Sequence, residues 1–226
     1  MRYLLSIAIS LYATTCFAGW GVTMSEIIPT DETFDSSGYD LTWTEVDTIS
    51  AIDPDSTTRY KGSPGQSLQT SVTGTDTEVY AYYDMGSATA TKSVSFYIYL
   101  DDYTLPANDD IIYIVSLGNT YSTSTIYTDD IAIGLKLVSG VAQLYCASAL
   151  SGGNVAASGI LDKWVLVEID YSGSGASTIT INGSETTCPE PDSPRAGARY
   201  LTFGAIDSLE TDESLIMYID NVDNLD

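Results

Sequence analysis

The sequence contains no histidine, and this absence excludes several kinds of enzyme at once. A Ser-His-Asp triad, a Cys-His pair, a histidine-ligated zinc site and a histidine proton shuttle all need an imidazole side chain. An enzyme built from this chain would have to rely on carboxylates or tyrosine alone.

Positive charge is also scarce, because 8 Lys and Arg residues stand against 31 Asp and Glu, for a net charge of −23. Nucleic acids and anionic membranes are bound by clustered Lys and Arg, and the sequence contains no such cluster. We therefore predict that neither is a partner. The simplest interpretation of the acidity is a solvated surface that keeps the protein soluble.

Long apolar runs are missing except at the N-terminus. Met1-Arg2-Tyr3 is followed by an apolar stretch over Leu4–Leu11, and small residues lead to Ala18. This pattern is typical of a secretory signal peptide, and its apolar core is too short to span a bilayer. We predict a signal peptide over residues 1–18, no membrane insertion, and a secreted, extracellular or periplasmic location. Lipidation at Cys16 is the alternative.

Cysteine is rare, and only Cys146 and Cys188 follow the predicted cleavage site. A lone pair in an oxidising compartment most often forms a disulfide. Closing a loop of this length would stabilise the fold by about 3–4 kcal/mol in the chain-entropy model. Two buried free thiols are the alternative.

Helical periodicity is absent as well, and apolar residues instead recur at every second position between Gly, Ser, Asn and Asp turns. Such alternation predicts half-buried strands, and the regular turns favour an all-β sandwich. We predict one domain over residues 19–226, with a short strand near Thr23–Ile28. The other predicted strands are Ser67–Val72, Glu78–Asp84, Lys92–Leu100, Asp110–Leu117, Asp130–Val138, Val141–Ala147, Trp164–Tyr171, Ser177–Gly183, Tyr200–Gly204 and Ser214–Val222.

The order W…VEIDY…ITING…LTFG…YIDNV over Trp164–Val222 resembles the closing strands of concanavalin A-like and laminin G-like modules. Phe34–Asp40 with Trp43, and then Gly65–Leu68, resemble their opening. The resemblance implies a two-sheet antiparallel jelly-roll sandwich. It also implies carbohydrate binding as the expected function.

The same resemblance implies a structural Ca²⁺ site. Asp35 follows the apolar Phe34, and Asp220 lies inside the last predicted strand. Similar modules bring such first-strand and last-strand acids together around one Ca²⁺, which takes hard oxygen ligands. Backbone carbonyls near Gly65–Ser67 would complete the ligand set.

Several predicted strands carry polar and aromatic residues on the face opposite their apolar residues. If these strands lie in one sheet, their outward face is a tyrosine-rich platform. Aromatic rings stack on the C–H faces of sugars, while amides and carboxylates bind the hydroxyls. The alternative is ordinary sheet surface, where tyrosine is favoured for its strand propensity. The predicted glycan-binding residues are Tyr82, Tyr97, Tyr99, Gln143, Tyr145 and Glu168.

A catalytic interpretation is incomplete. Glu168-Ile-Asp170 is similar to the Glu-x-Asp-x-x-Glu strand of family 16 glycoside hydrolases, but Gly173 stands where the second glutamate is due. Glycoside hydrolysis needs two carboxyl groups at a set separation. The favoured hypothesis is therefore a non-catalytic, lectin-like module whose partner is a glycan. A structural or adhesive scaffold with protein partners at the cell surface is the first alternative, and a carboxylate-based polysaccharide-degrading enzyme is the second.

Overall fold

The computed structural model describes residues 43–46, 52–55, 57–58, 60, 66–74, 78–105, 111–121, 131–148, 153–189, 196–206 and 212–225. All of them belong to one compact unit, Asp31–Asp226. The regular elements in these ranges are strands, so the all-β prediction is confirmed. No helix in the described ranges has the length and apolar character that crossing a membrane requires.

The described residues contain fourteen strands. They are β1 (Trp43–Val46), β2 (Ile52–Asp55), β3 (Ser67–Thr73), β4 (Val79–Thr89), β5 (Thr91–Thr104), β6 (Ile111–Gly118), β7 (Ile131–Val138), β8 (Val141–Ser148), β9 (Gly153–Ser158), β10 (Trp164–Ser172), β11 (Thr178–Ile181), β12 (Ser184–Thr187), β13 (Ala198–Ala205) and β14 (Ser214–Asp223).

These strands form two seven-stranded sheets. The first, here called the front sheet, has the order β1-β4-β13-β6-β7-β8-β9. The second, the back sheet, has the order β12-β11-β10-β5-β14-β3-β2. Neighbouring strands pair antiparallel in both sheets, for example β4 with β13 and β5 with β10. The predicted two-sheet antiparallel sandwich is therefore confirmed.

Strand alternation builds the core between the sheets. On β5, Val94, Phe96, Ile98 and Leu100 are buried, and the residues between them face outward. Burying one such side chain stabilises the fold by about 1.5–3 kcal/mol. Rings from both sheets meet in this core, because Phe96 of the back sheet packs 4.9 Å from Phe203 of the front sheet, centroid to centroid.

Ten of the predicted strands are present with shifted ends, and four short strands were missed. The missed strands are β1, β2, β9 and β12, each of 4 to 6 residues. Asn182 and Gly183 both have positive φ, 49° and 82°, and form the tight turn that joins β11 to β12. The strand predicted near Thr23–Ile28 lies outside the described residues.

The predicted disulfide is present between Cys146 and Cys188, with 5.5 Å between their Cα atoms. Cys146 belongs to β8 of the front sheet, whereas Cys188 directly follows β12 of the back sheet. The bond therefore ties one sheet to the other, and both cysteines are buried. The free-thiol alternative is wrong.

Candidate functional site

The predicted glycan-binding residues all point away from the core, but they lie on opposite outer faces of the sandwich. Those on the front sheet are Tyr82 of β4 and Gln143 and Tyr145 of β8, whereas Tyr97 and Tyr99 of β5 and Glu168 of β10 lie on the back sheet. A single platform containing all of them is therefore wrong. Alternation within a strand fixes which side chains face outward, but it does not fix which sheet the strand joins.

On the back face, the aromatic rings pack against one another. The back aromatic cluster consists of Tyr60, Tyr97, Tyr99, Trp164 and Tyr218. Tyr60 stacks on Tyr97 with 3.7 Å between ring centroids, and Trp164 lies 5.5 Å from Tyr99. A hydrogen bond with Tyr60 raises the pKa of Tyr97. One face of the Tyr97 ring is therefore occupied by another residue of the same chain.

Asp220 anchors this arrangement. Its side chain is fully buried, and its carboxylate accepts hydrogen bonds from the backbone N–H of Tyr60 at 2.8 Å and of Asn221 at 2.8 Å. The hydroxyl of Ser67 donates to the carbonyl oxygen of Thr58 nearby. Asp220 thus holds the segment that carries Tyr60 against the back sheet.

Glu168 is exposed on the same outer face, beside Ser95 on one side and Thr180 on the other. The next outward acid of its strand is Asp170, which accepts a hydrogen bond from the Ser93 hydroxyl. Neither acid lies on the sheet that carries Tyr82.

The front face carries a different group of rings, here called the front tyrosine cluster: Tyr82, Tyr121 and Tyr200. Tyr121 stacks on Tyr82 with 4.2 Å between ring centroids and an interplanar angle of 10°. Tyr200 meets both rings edge-on, at 5.7 Å from Tyr82 and 5.2 Å from Tyr121. Tyr121 is 39% exposed, so this cluster offers ring surface to solvent.

An ion pair between Arg199 and Asp84 lies beside Tyr200 at one side of this cluster. Arg199 donates from Nε and Nη2 to the two carboxylate oxygens of Asp84 at 2.8 and 2.7 Å, a bidentate geometry. Its guanidinium carbon lies 4.8 Å from the centroid of the Tyr200 ring. The Arg199 hydrogen bonds lower the pKa of Asp84, so this carboxylate is ionised at neutral pH.

Beside the rings, the front sheet presents small hydroxyl side chains. Thr202 pairs with Tyr82 on one side and with Ser116 on the other, so all three share the outer face. Thr202 and Ser116 are buried. Within the described part of the chain, the buried Thr202 hydroxyl has no hydrogen-bond partner. A buried hydroxyl without a partner is costly to the fold, and this one has no surface that a ligand could contact.

Gln143 and Tyr145 lie farther along the same face. Lys136 of β7 places its ammonium group 4.9 Å from the centroid of the Tyr145 ring. The buried Oε1 of Gln143 has no hydrogen-bond partner among the described residues. Four strand spacings separate β4 from β8, about 19 Å, so these residues do not contact Tyr82.

Sequence reasoning therefore missed Tyr121, Tyr200, Thr202 and Arg199. Tyr200 and Thr202 lie in the predicted strand Tyr200–Gly204, and strand alternation places both side chains on the same face. Their position beside Tyr82 depends on the pairing of β4 with β13, whose paired residues Tyr82 and Thr202 are 120 positions apart. No local signal reports such a pairing.

Only one of the two predicted calcium ligands belongs to the described residues. This residue is the buried Asp220, whereas Asp35 lies outside the described residues. Among the residues that the structure places, no three Asp, Glu, Cys or His side chains form a metal-binding group. The calcium site stays a prediction.

No protein-family model matches the chain, and no curated protein matches it either. Solved structures do share its architecture. Cellulose induced protein, Cip1, superposes with a TM-score of 0.58 at 16% identity, covering 85% of this chain and 94% of that one. A sialidase reaches 0.52 at 13% identity, covering 80% of this chain and 16% of its own.

The binding domain of botulinum neurotoxin DC, in complex with SialylT, also reaches a TM-score of 0.52. Its identity is 12%, over 88% of this chain and 48% of that one. This chain thus spans about half of the toxin domain structure and a sixth of the sialidase. At such identities the likeness reports the fold, and together with the two antiparallel sheets it shows that this chain has the concanavalin A-like jelly-roll fold.

Proposed function

We propose that this chain is an exported, non-catalytic carbohydrate-binding module and that the front tyrosine cluster is its sugar platform. The three rings offer the aromatic surface on which the C–H face of a pyranose stacks. Solved structures of the same fold include a sialidase and a toxin domain in complex with SialylT, which agrees with a glycan partner.

The observation that carries the proposal is the stacked pair of Tyr82 and Tyr121, which Tyr200 meets edge-on. Tyr121 is 39% exposed, so its ring offers stacking area to a sugar. The Arg199–Asp84 pair beside Tyr200 supplies polar groups at the edge of these rings, where the hydroxyls of a stacked sugar would lie.

The back face supports this role less well. Its rings stack on one another, and Tyr60 covers a face of Tyr97. Glu168 lies near the Tyr97 ring, on which Tyr60 is already stacked. We therefore assign Tyr97 and Tyr99 to the packing of the back face rather than to ligand binding.

Charge favours a neutral glycan. The chain has a net charge of −23, which repels uronates, sialic acids and sulphated sugars. The two cationic side chains described on the front face, Arg199 and Lys136, are engaged by Asp84 and by the Tyr145 ring. Neither is set out as a bidentate clamp for a sugar carboxylate.

The same geometry supports the non-catalytic proposal. Among the described residues, Asp84 lies beside the front tyrosine cluster, and Arg199 holds it ionised in a bidentate pair. A general acid needs a proton at working pH, so Asp84 is unsuited to that role. Glu168 and Asp170 lie on the other sheet, too far away to act on a sugar bound at the front.

We also propose a structural Ca²⁺ held by the carboxylates of Asp35 and Asp220, with backbone carbonyls near Gly65–Ser67, as the fold resemblance implies. Asp220 supplies a fully buried hard-oxygen ligand in the last strand. Because Asp220 belongs to the back sheet, the ion would take no part in sugar binding at the front tyrosine cluster. The melting temperature should rise with added Ca²⁺ and fall with EDTA. An unchanged melting temperature in both conditions would contradict this site.

The glycan proposal is tested by affinity electrophoresis of the secreted chain through gels that contain one soluble polysaccharide each. The panel should contain neutral glucans, xylan and mannan together with alginate and pectate as charged counterparts. We expect retention by at least one neutral polymer and none by the two uronates. Free migration through every gel would overturn the proposal, and retention by the uronates alone would overturn the preference for neutral ligands.

A further inference from the structure

An apolar pocket opens at one end of the sandwich, away from the front tyrosine cluster. Its volume is about 280 Å³. The residues that line it are Tyr103, Gly140, Val141, Ala142, Gly159, Ile160 and Leu161. Ala142 and Ile160 are buried members of the main core, so the pocket reaches the core from outside.

The exposed large aliphatic side chains of the described residues both line this pocket. Three large hydrophobic residues in those ranges are exposed: Tyr121, Val141 at 48% and Leu161 at 37%. Tyr121 belongs to the front tyrosine cluster, whereas Val141 and Leu161 both line this pocket. Exposed aliphatic groups gathered at one concave point mark an interaction site rather than random surface.

Backbone hydrogen bonds and a tight turn fix the walls of the pocket. Its walls come from β5 of the back sheet, β8 of the front sheet and the connection from β9 to β10. Leu161 is pinned because it bridges to Leu100 of β5, and the Asp162 N–H donates to the Leu100 carbonyl at 3.0 Å. Ser139 and Gly140, with φ of 52° and 79°, form the tight turn before Val141.

Exposed acidic residues neighbour the lining residues in the chain. Asp101 and Asp102 precede Tyr103, and Asp162 follows Leu161. Lys163 is the one basic residue next to these positions in the chain. With the net charge of −23, these acids make the protein complementary to an apolar side chain flanked by cations.

We propose that this pocket docks a segment of another protein that presents an aliphatic or aromatic side chain flanked by Lys or Arg. A second copy of this chain fits poorly, because it would bring a second net charge of −23. The proposal is independent of glycan binding, since the pocket and the front tyrosine cluster share no residue.

The test uses three synthetic peptides titrated against the full chain by isothermal calorimetry and NMR. The first peptide carries one leucine between lysine pairs, the second replaces the leucine by serine, and the third replaces the lysines by glutamate. We expect only the first to bind, with NMR shifts centred on Tyr103, Val141 and Leu161. Absence of binding, equal binding of the serine or glutamate peptide, or shifts centred elsewhere would overturn the proposal.

Variants then separate this pocket from the glycan site. Leu161→Ser should weaken binding of the first peptide about tenfold, as expected for a central apolar contact, while Leu161→Met largely retains it. Tyr121→Ser, the matched control, removes the exposed hydrophobic residue on the front face and should leave peptide binding unchanged. Unchanged peptide affinity in Leu161→Ser contradicts the site. Self-association that Leu161→Ser abolishes would contradict the basic partner and identify a second copy as occupant.

Discussion

Thr202 lowers stability at the scale of a single side chain. Its hydroxyl is buried on the outer face of the front sheet without a hydrogen-bond partner among the described residues. An unsatisfied buried hydroxyl costs roughly 1–3 kcal/mol in proteins. The side chain has no exposed surface, so this cost concerns the fold and not the contact with a ligand.

Replacement of Thr202 by valine keeps the shape of the side chain and removes the unsatisfied oxygen. We expect Thr202→Val to raise the free energy of unfolding by about 1 kcal/mol and to leave glycan binding unchanged, because the hydroxyl is not exposed to a ligand. Chemical denaturation and affinity electrophoresis measure the two effects.

Thr70→Val is the matched control. The Thr70 hydroxyl is equally buried and also lacks a partner among the described residues, but its side chain faces the core from β3. This variant should be stabilised to a similar extent and should bind glycan like the wild type. A loss of glycan binding in Thr70→Val would show that a change in the core alone is enough to alter binding.

The buried phenol of Tyr80 makes the free energy of unfolding depend on pH in the alkaline range. Burial, with a smaller contribution from Glu78, raises the pKa of its phenol from 10.0 to about 12. Below pH 10 the phenol is neutral in both states and this contribution to stability is complete. Between pH 10 and about 12 the unfolded chain loses the proton first, so stability declines over this range.

Tyr80→Phe should therefore make the stability curve flatter between pH 10 and 12. Glu78→Gln removes only the smaller contribution to the raised pKa of Tyr80 and should flatten the curve less than Tyr80→Phe. Thermal unfolding at a series of pH values is the measurement. An identical slope in wild type and Tyr80→Phe would contradict the argument.

At the scale of elements, the contact between β4 and β13 depends on Gly204. This glycine has a φ of 131°, and a Cβ atom there would lie 2.3 Å from the Val79 carbonyl oxygen and 2.6 Å from the Tyr80 Cα. Both neighbours are backbone atoms, so neither can move aside cheaply. The same strand pair carries Tyr82, Tyr200 and Thr202, and a shift would disturb the glycan site as well.

We expect Gly204→Ala to destabilise the fold by about 2–4 kcal/mol, from backbone strain and steric overlap together. Gly183→Ala is the control, because Gly183 also has a positive φ, 82°, but nothing lies within 4 Å of its Cβ position. Its cost should stay near 1–2 kcal/mol. Equal losses of stability, measured by chemical denaturation, would refute the steric account.

Elements with strong alternation could be predicted from the sequence. The faces of β5 and β10 were correct residue by residue, because Val94, Phe96, Val165 and Val167 repeat at the period that burial imposes. β2, by contrast, contains Pro54 and two aspartates, and its pairing to β3 at the sheet edge outweighs its low strand propensity.

The candidate site could be predicted only in part, since it is made by pairing between distant strands. Tyr82 was predicted, but its neighbours Tyr121 and Tyr200 come from other parts of the chain. Tyr97 and Tyr99 have the same outward alternation as Tyr82, yet Tyr60 packs over Tyr97 on the back face. Local sequence does not distinguish an outward ring that stays accessible from one that another segment covers.

At the scale of the whole molecule, the Cys146–Cys188 bond joins the two sheets across 42 sequence positions. Cross-linking a loop of this length stabilises a fold by about 3–4 kcal/mol in the chain-entropy model. The Cys146→Ser/Cys188→Ser double variant should unfold at lower denaturant concentration by this amount. Reducing agent should lower the unfolding midpoint of the wild type by the same amount and leave that of the double variant unchanged. Equal midpoints for the wild type, the reduced wild type and the double variant would contradict the expectation.

The sandwich as a whole presents two aromatic outer faces, of which we assign the front one to glycan binding. Parallel affinity electrophoresis of Tyr200→Ala and Tyr97→Ala tests this assignment most directly, with circular dichroism to confirm folding. We predict that Tyr200→Ala weakens retention by the bound polysaccharide about tenfold and that Tyr97→Ala is retained like the wild type. Normal retention of Tyr200→Ala together with loss in Tyr97→Ala would place the sugar on the back face and contradict the account.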